Sequence, residues 1–253
     1  MSADIKDFLN NPTDYKQYNL NMGEKVVAFA VGALLAFFVL HIFFGNIIVD
    51  TVGAVVTGIV AQPILKNILK ERRKNNLIGQ FKDMLDSLST SYSVGKNTTG
   101  SFEDAYKDME LQYGSSSDIC LELNRINIGL KNVSSIEDML ADFADRSGID
   151  DIRTFADVFY AINRRGGNIK TIIGETKSII CEKIEIEQEI RTITSSSANS
   201  LYIIMCLPLL IVPMVSGFSE DGDPLIGILT KIAAIILFVI AFLIGKKITY
   251  IKF

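Results

Sequence analysis

The residues with the clearest chemical potential are the two arginines and two glycines of Asn163–Ile172, NRRGGNIKTI. A phosphate loop needs glycines that let backbone amides surround the anion, followed by lysine and serine or threonine, as in G-x-x-x-x-G-K-[ST]. No segment of the chain has this spacing. The alternative is a helical corner, in which arginines complement the negative end of one helix, glycine caps that helix, and asparagine caps the next. We favour the corner, whose candidate partner-binding residues are Arg164, Arg165, Gly166, Gly167 and Asn168.

Other reactive side chains do not form a catalytic or metal-binding pattern. The only histidine, His41, lies in an apolar segment, so it cannot activate a serine or cysteine in a polar domain. The glutamates of Glu182–Ile190 either hold a cation or form a solvated acidic surface. We favour the surface, because one helix rarely supplies a complete oxygen shell. We therefore predict no catalytic residue, no metal, no cofactor and no enzymatic activity. The three cysteines are predicted to be free thiols: Cys120, Cys181 and Cys206.

Four apolar segments approach or reach the length that crosses a bilayer. The chain is 49% hydrophobic with a mean hydropathy of +0.30, which is high for a soluble protein. A helix rises about 1.5 Å per residue, so about 20 apolar residues cross the roughly 30 Å of hydrocarbon. These segments predict two membrane hairpins, over residues 26–65 and 201–245. They are Val26–Phe44, Ile47–Leu65, Leu201–Val215 and Leu225–Ile244.

The distribution of lysine and arginine predicts the orientation of these hairpins. Basic residues follow the second segment, in Lys66–Lys74, and the fourth, at Lys246 and Lys247. The connections Gly45–Asn46 and Ser216–Pro224 contain none. By the positive-inside rule, this predicts a multi-pass protein of the cytoplasmic membrane with both termini inside the cell. The predicted cytoplasmic parts are an N-terminal segment (residues 1–25), a central domain (residues 66–200) and a tail (residues 246–253).

The central domain has helical periodicity throughout. Apolar residues recur every three or four positions, as in the stripe from Leu77 to Tyr92, and short polar breaks separate the stripes. Ser101 and Ser134 are the predicted N-caps of the second and fourth helices. Residues 66–200 contain 18 Lys and Arg against 21 Asp and Glu, so no basic excess indicates a nucleic-acid surface. We predict an all-α membrane protein in which the two hairpins flank a cytoplasmic up-and-down bundle of about six helices.

Three residues within the predicted spans can carry a charge near neutral pH: His41, Asp50 and Lys231. Asp50 and Lys231 are predicted at similar depth, where an unpaired charge is costly. They either contact each other, joining the two hairpins, or reach the membrane surface independently. Small residues at four-residue spacing in the first two spans, among them Gly32 and Ala61, permit close helix approach. We favour an approach within the hairpin over one between protomers.

Three stretches resemble the type II secretion system protein F domain family. They are IGQFKDMLDSLSTSYSVGKN (Ile78–Asn97), the corner-containing stretch Ser135–Ile173, and EIRTITSSSANSLYIIMCLPLL (Glu189–Leu210). The first is similar to the family's opening helix, with its Q-F/L-x-D-x-L-x-x-L pattern. Two spans on each side of one such domain is a layout similar to TadB-like and TadC-like platform proteins of the tight-adherence (Flp) pilus. The loop SVGKNTTGS is longer and more polar than the family's turn at this position.

The resemblance implies a non-enzymatic membrane platform for assembly of a type IV-like pilus or a related secretion filament. Its implied partners are a hexameric assembly ATPase, pilin subunits, a second platform subunit or another copy of the chain, and the lipid bilayer. The alternative function is a small oligomeric transporter or proton-linked channel that uses His41, Asp50 and Lys231.

Overall fold

The protein is all-helical over the residues that its computed structural model describes, which are 12–132, 135–165 and 168–216. These residues form seven α-helices and no β-strand, as predicted for the fold class. Each of the six helices predicted between residues 66 and 200 is present as a helix or as part of a longer one. The helices are α1 (Met22–Phe44), α2 (Ile47–Ser93), α3 (Thr98–Tyr113), α4 (Asp118–Lys131), α5 (Ile136–Ser147), α6 (Asp150–Arg165) and α7 (Ile169–Ser216).

The described residues divide into two compact units. The helical unit contains residues 12–18 and Asn67–Ile186, and it includes all of α3 to α6. The hairpin unit contains Asn19–Lys66 and residues 187–216, and it includes all of α1. Helices α2 and α7 each contribute residues to both units.

Within the described part of the chain, two helices are long and apolar enough to cross a membrane. The most apolar 18-residue window within Met22–Ile42 of α1 has a mean hydropathy of 2.3, and the corresponding window of α2 reaches 1.8. Large apolar side chains on both helices are exposed, including Leu34 at 70% and Ile48 at 71%. Burial of such side chains in an apolar environment is strongly favourable, so this exposure fits helices that contact lipid. Of the other two predicted spans, the third falls in the last part of α7 and the fourth lies outside the described residues.

Small residues allow α1 and α2 to pack closely in the hairpin unit. A Cβ atom at Gly32 would lie 2.6 Å from the Cβ of Ala61, and one at Gly58 would lie 2.8 Å from the ring of Phe29. A side chain at Gly32 would therefore push α1 away from α2, and one at Gly58 would displace the ring of Phe29. The small residues thus serve contacts within the hairpin, the role that the sequence favoured.

Aromatic and aliphatic side chains fill the core of the helical unit. Phe81 of α2 meets Phe155 of α6 edge to face, with ring centroids 5.8 Å apart. Phe102 of α3 meets Phe159 of α6 in the same manner at 6.2 Å. The predicted stripe of α2 lies in this core, with six fully or almost fully buried members: Leu77, Phe81, Met84, Leu85, Leu88 and Tyr92.

Two predicted N-caps are wrong. Helix α3 begins earlier than expected, because the Asn97 side chain accepts a hydrogen bond from the backbone N–H of Gly100 at 2.9 Å and caps the helix itself. Ser101 is instead a fully buried residue in the first turns of α3. Helix α5 is capped by Ser135, whose hydroxyl accepts from the backbone of Asp138. Ser134, the predicted cap, lies outside the described residues.

Candidate functional site

The polar residues of the hairpin unit meet across the tight connection between α1 and α2. Gly45 has the left-handed conformation (φ 60°) and donates its backbone N–H to the carbonyl of His41 at 3.0 Å. The reversal brings His41, in the last turn of α1, to Asp50, in the first turn of α2. The two side chains contact with 2.8 Å between Nδ1 and Oδ2, a distance at which the ring N–H donates to the carboxylate.

The two members of this pair differ in their surroundings. The side chain of Asp50 is fully buried, whereas that of His41 is 59% exposed and stacks on Phe37 with ring centroids 5.9 Å apart. The second carboxylate oxygen of Asp50, Oδ1, has no hydrogen-bond partner among the described residues. Lys231 lies outside the described residues, so its contact with Asp50 stays a prediction. The two-residue connection was the signal from which the His41–Asp50 pair could have been inferred.

The predicted partner-binding corner lies between α6 and α7. Arg164 and Arg165 are the last residues of α6, and Gly166 and Gly167 lie outside the described residues. Asn168 is exposed and precedes α7, and its backbone carbonyl accepts a hydrogen bond from the N–H of Ile172 at 3.1 Å. The helices that flank the corner therefore end and begin where the sequence predicts.

The acidic face of α7 has a structural contact. Glu185 accepts a hydrogen bond from the ammonium group of Lys82 at 2.7 Å. The bond to Glu185 raises the pKa of Lys82. In the described parts of the chain, no group of three His, Cys, Asp or Glu side chains is placed to hold a metal ion.

A buried ionic network in the helical unit was not predicted from the sequence. Its centre is Glu122 of α4, which is almost fully buried and accepts two hydrogen bonds from Arg146 of α5, at 2.7 and 2.6 Å. Arg125 approaches the same carboxylate at 3.3 Å, and Arg146 also donates to Asp142 at 2.7 Å. Burial alone lowers the pKa of Arg146, but the bonds to Glu122 and Asp142 outweigh it and raise the pKa above its ordinary value. This network therefore ties α4 to α5 through paired charges.

The N-terminal segment joins this network through Tyr15. Its hydroxyl donates to Glu122 at 2.9 Å, and the residue is only 1% exposed. Burial, followed by the negative charges of Glu122 and Asp118, raises the pKa of Tyr15 far above its ordinary value, so the phenol stays neutral. Residues 12–18 thus belong to the helical unit, although the sequence indicated only a leader to the first span.

A cavity of about 600 Å³ opens beside the network. Its polar lining includes Glu122, Arg125, Asp142 and Arg146. These carboxylates and guanidinium groups already pair with one another, so the network neutralises most of the charge of the lining, to which Asp138 adds one further carboxylate.

The described fold and sites define an all-helical protein with two helices that have the length and composition of membrane spans. Comparison of the chain with models of protein families, with curated proteins and with solved structures finds no match.

Proposed function

We propose that the chain is a platform scaffold in the cytoplasmic membrane, on which a type IV-like pilus of the tight-adherence kind or a related secretion filament is assembled. In this proposal four spans, as two hairpins, flank a cytoplasmic up-and-down bundle of about six helices. The bundle meets a hexameric assembly ATPase, and the spans meet pilin subunits. The proposal extends the resemblance of Ile78–Asn97, Ser135–Ile173 and Glu189–Leu210 to the type II secretion system protein F domain.

One observation supports the proposal most strongly. Helix α2 combines, in 47 continuous residues, an apolar segment with exposed side chains and a stripe that enters the core of the helical unit. No loop separates these two segments of α2, although Pro63 lies inside the helix near the end of the apolar segment. A helix without an intervening loop suits a protein that passes mechanical work between a motor and the membrane. The basic residues of Lys66–Lys74 follow the apolar segment of this helix, where a cytoplasmic boundary is expected.

The corner between α6 and α7 is the proposed contact for the ATPase. Arg164 and Arg165 end α6, and Asn168 is exposed. Loops on a rigid scaffold are where binding residues concentrate, and arginine is enriched at protein interfaces. No catalytic role is assigned to these residues.

Filament assembly in cells tests this proposal. We expect cells that lack the protein to form no filaments, and the wild-type gene to restore them. The double variant Arg164→Glu/Arg165→Glu should reach the membrane at the wild-type level but restore few filaments. The matched control is Arg153→Glu, on the same helix, whose partner Asp145 lies on α5. Normal filaments in cells without the protein would refute the platform role, and normal filaments with the double variant would refute the corner as the contact.

The pair formed by His41 and Asp50 favours a second candidate function, a small oligomeric transporter or proton-linked channel that also uses Lys231. A buried carboxylate with one oxygen lacking a described partner is a feature of proton and ion pathways. The purified chain in proteoliposomes with a pH-sensitive dye separates the two functions. A platform gives no proton flux above that of empty vesicles, whereas a channel gives a flux that His41→Ala abolishes.

A further inference from the structure

Residues 12–18 contact the rest of the helical unit through the buried side chain of Tyr15, and the side chain of Lys16 lies beside Gly148. Tyr15 is buried, while its neighbours Asp14, Lys16 and Gln17 are exposed. The segment around Tyr15 forms no helix or strand. Its attachment therefore depends on the site that receives Tyr15, which we call the Tyr15 socket and which consists of Arg73, Asp118, Glu122, Phe143 and Arg146.

The socket contacts every part of the tyrosine side chain. Phe143 packs edge to face against the ring, with centroids 6.5 Å apart and an interplanar angle of 71°. The guanidinium of Arg73 lies over the ring, 4.9 Å from its centroid, which is cation–π geometry. Asp118 fixes this guanidinium with two hydrogen bonds, at 2.9 and 2.5 Å. The hydroxyl reaches Glu122, so an apolar ring with a polar end is the side chain that the socket fits.

The socket also holds the backbone of the segment. The backbone N–H of Tyr15 donates to the carbonyl of Arg146 at 3.1 Å, and Nη1 of Arg146 donates to the carbonyl of Thr13 at 2.9 Å. Arg146 therefore contacts the main chain on both sides of Asp14. Two backbone hydrogen bonds with a pocket for one side chain between them are the features by which proteins bind extended peptides.

We propose that the Tyr15 socket is a peptide-docking site whose ligand is residues 12–18 of the same chain, and that these residues, when docked, act as a releasable latch. Only Asn19–Asn21 separate residues 12–18 from the start of α1. The docked residues therefore attach the peptide that leads into α1 to the helical unit, and α1 is the first helix that is long and apolar enough to cross a membrane. This inference goes beyond the platform role and does not depend on it.

Release of residues 12–18 is possible because a single buried side chain holds them, whereas many buried side chains hold each helix of the core. Segments without regular structure and with few buried contacts open at lower free energy than core helices. Residues 12–18 contribute one buried side chain, that of Tyr15, to the core of the helical unit, whereas each of α3 to α6 contributes several. The segment should therefore detach and return while the helices stay folded.

Hydrogen exchange of the full chain in nanodiscs, followed by mass spectrometry, tests the latch. In the wild type, we expect the amide of Tyr15 to exchange more slowly than its exposed neighbours. Tyr15→Ala should accelerate exchange across residues 13–16 by about ten- to a hundredfold, the effect of losing one buried aromatic side chain, and should leave α3 to α6 protected. Tyr15→Phe keeps the ring contacts and should accelerate exchange by less than about tenfold.

A tyrosine elsewhere on the helical unit provides the matched control. Tyr113 also donates its hydroxyl to a carboxylate, that of Asp83, but it lies on the surface. Tyr113→Ala should leave exchange in residues 13–16 unchanged. The latch is refuted if Tyr15→Ala does not change exchange in the segment. It is also refuted if α4 and α5 lose protection to the same extent, because Tyr15 would then be an ordinary core residue.

Discussion

Replacing Arg146 by methionine removes the main partner of a buried carboxylate. Glu122 is about 2% exposed in its side chain and accepts two hydrogen bonds from Arg146, at 2.7 and 2.6 Å. Breaking a buried ion pair from one side typically costs about 3–5 kcal/mol, because the remaining charge is left in a poorly solvating environment. We expect the lower end, about 3 kcal/mol, because Tyr15 and Arg125 still donate to Glu122.

The expected loss is large enough to measure in the full chain. For a unit of this size, a loss of about 3 kcal/mol lowers the unfolding temperature by roughly 10 °C. The assay is proteolysis of the full chain in detergent at rising temperature, with mass spectrometry of peptides from α4 and α5. These peptides report on the helical unit alone, so the stability of the apolar helices of the hairpin unit does not mask the lower unfolding temperature.

A second substitution tests whether the buried charge is the cause. Glutamine at position 122 accepts hydrogen bonds without a charge, so the double variant Glu122→Gln/Arg146→Met should be more stable than the sum of the single effects predicts, by at least about 0.5–1 kcal/mol. Arg153→Met, which breaks an exposed ion pair with Asp145, should cost less than about 1 kcal/mol. If Arg146→Met costs no more than this control, or if the two changes are additive, the reasoning from buried charge is refuted.

Three further predictions concern the hairpin, a glycine contact and a thiol. His41→Ala and Asp50→Ala should each lower the free energy of unfolding of the full chain in dodecyl sulfate. The double variant should lose less than the sum of the two single losses, by at least about 0.5 kcal/mol. Additive losses would show that the contact between the two side chains contributes nothing. Gly32→Leu should destabilise the chain by about 1–3 kcal/mol in the same assay, because the new side chain forces α1 away from α2. In the control Gly79→Ala, the added Cβ would have no atom within 4 Å, so the variant should be more stable by about 0.5–1 kcal/mol. Equal effects of the two changes would refute the contact. Burial raises the pKa of the Cys120 thiol above its ordinary value, so the thiol stays protonated in the folded chain; the stability that this contributes is present below the ordinary pKa and is lost as the pH rises through the raised one. Maleimide labelling at pH 8 should be slow until the unit unfolds, and fast labelling of the folded chain would contradict this.

Periodicity predicts the helices because it records which face of each helix is buried. The stripe from Leu77 to Tyr92 has helical spacing, and its members reach the core of the helical unit. Helix starts are less predictable, because several polar residues near one boundary compete as caps. Asn97 caps α3 where Ser101 also had the right chemistry, since the Asn97 side chain reaches the N–H of Gly100.

The polar sites were only partly predictable. The sequence places Asp50 and His41 within the predicted spans, but their pairing depends on the left-handed turn at Gly45, which brings them together. Tyr15 and Glu122 are 107 residues apart, and no local pattern connects them. Such contacts follow from how helices pack, which periodicity along a single chain does not specify.

The proposed platform role is tested most directly by isolating the full chain from native membranes after mild cross-linking and identifying what accompanies it. The platform role predicts that a hexameric assembly ATPase from the same genome co-purifies with the wild-type chain and does not co-purify with the Arg164→Glu/Arg165→Glu variant. It would be contradicted if the wild-type chain, at its normal level in the membrane of cells that express such an ATPase, brought none of it down.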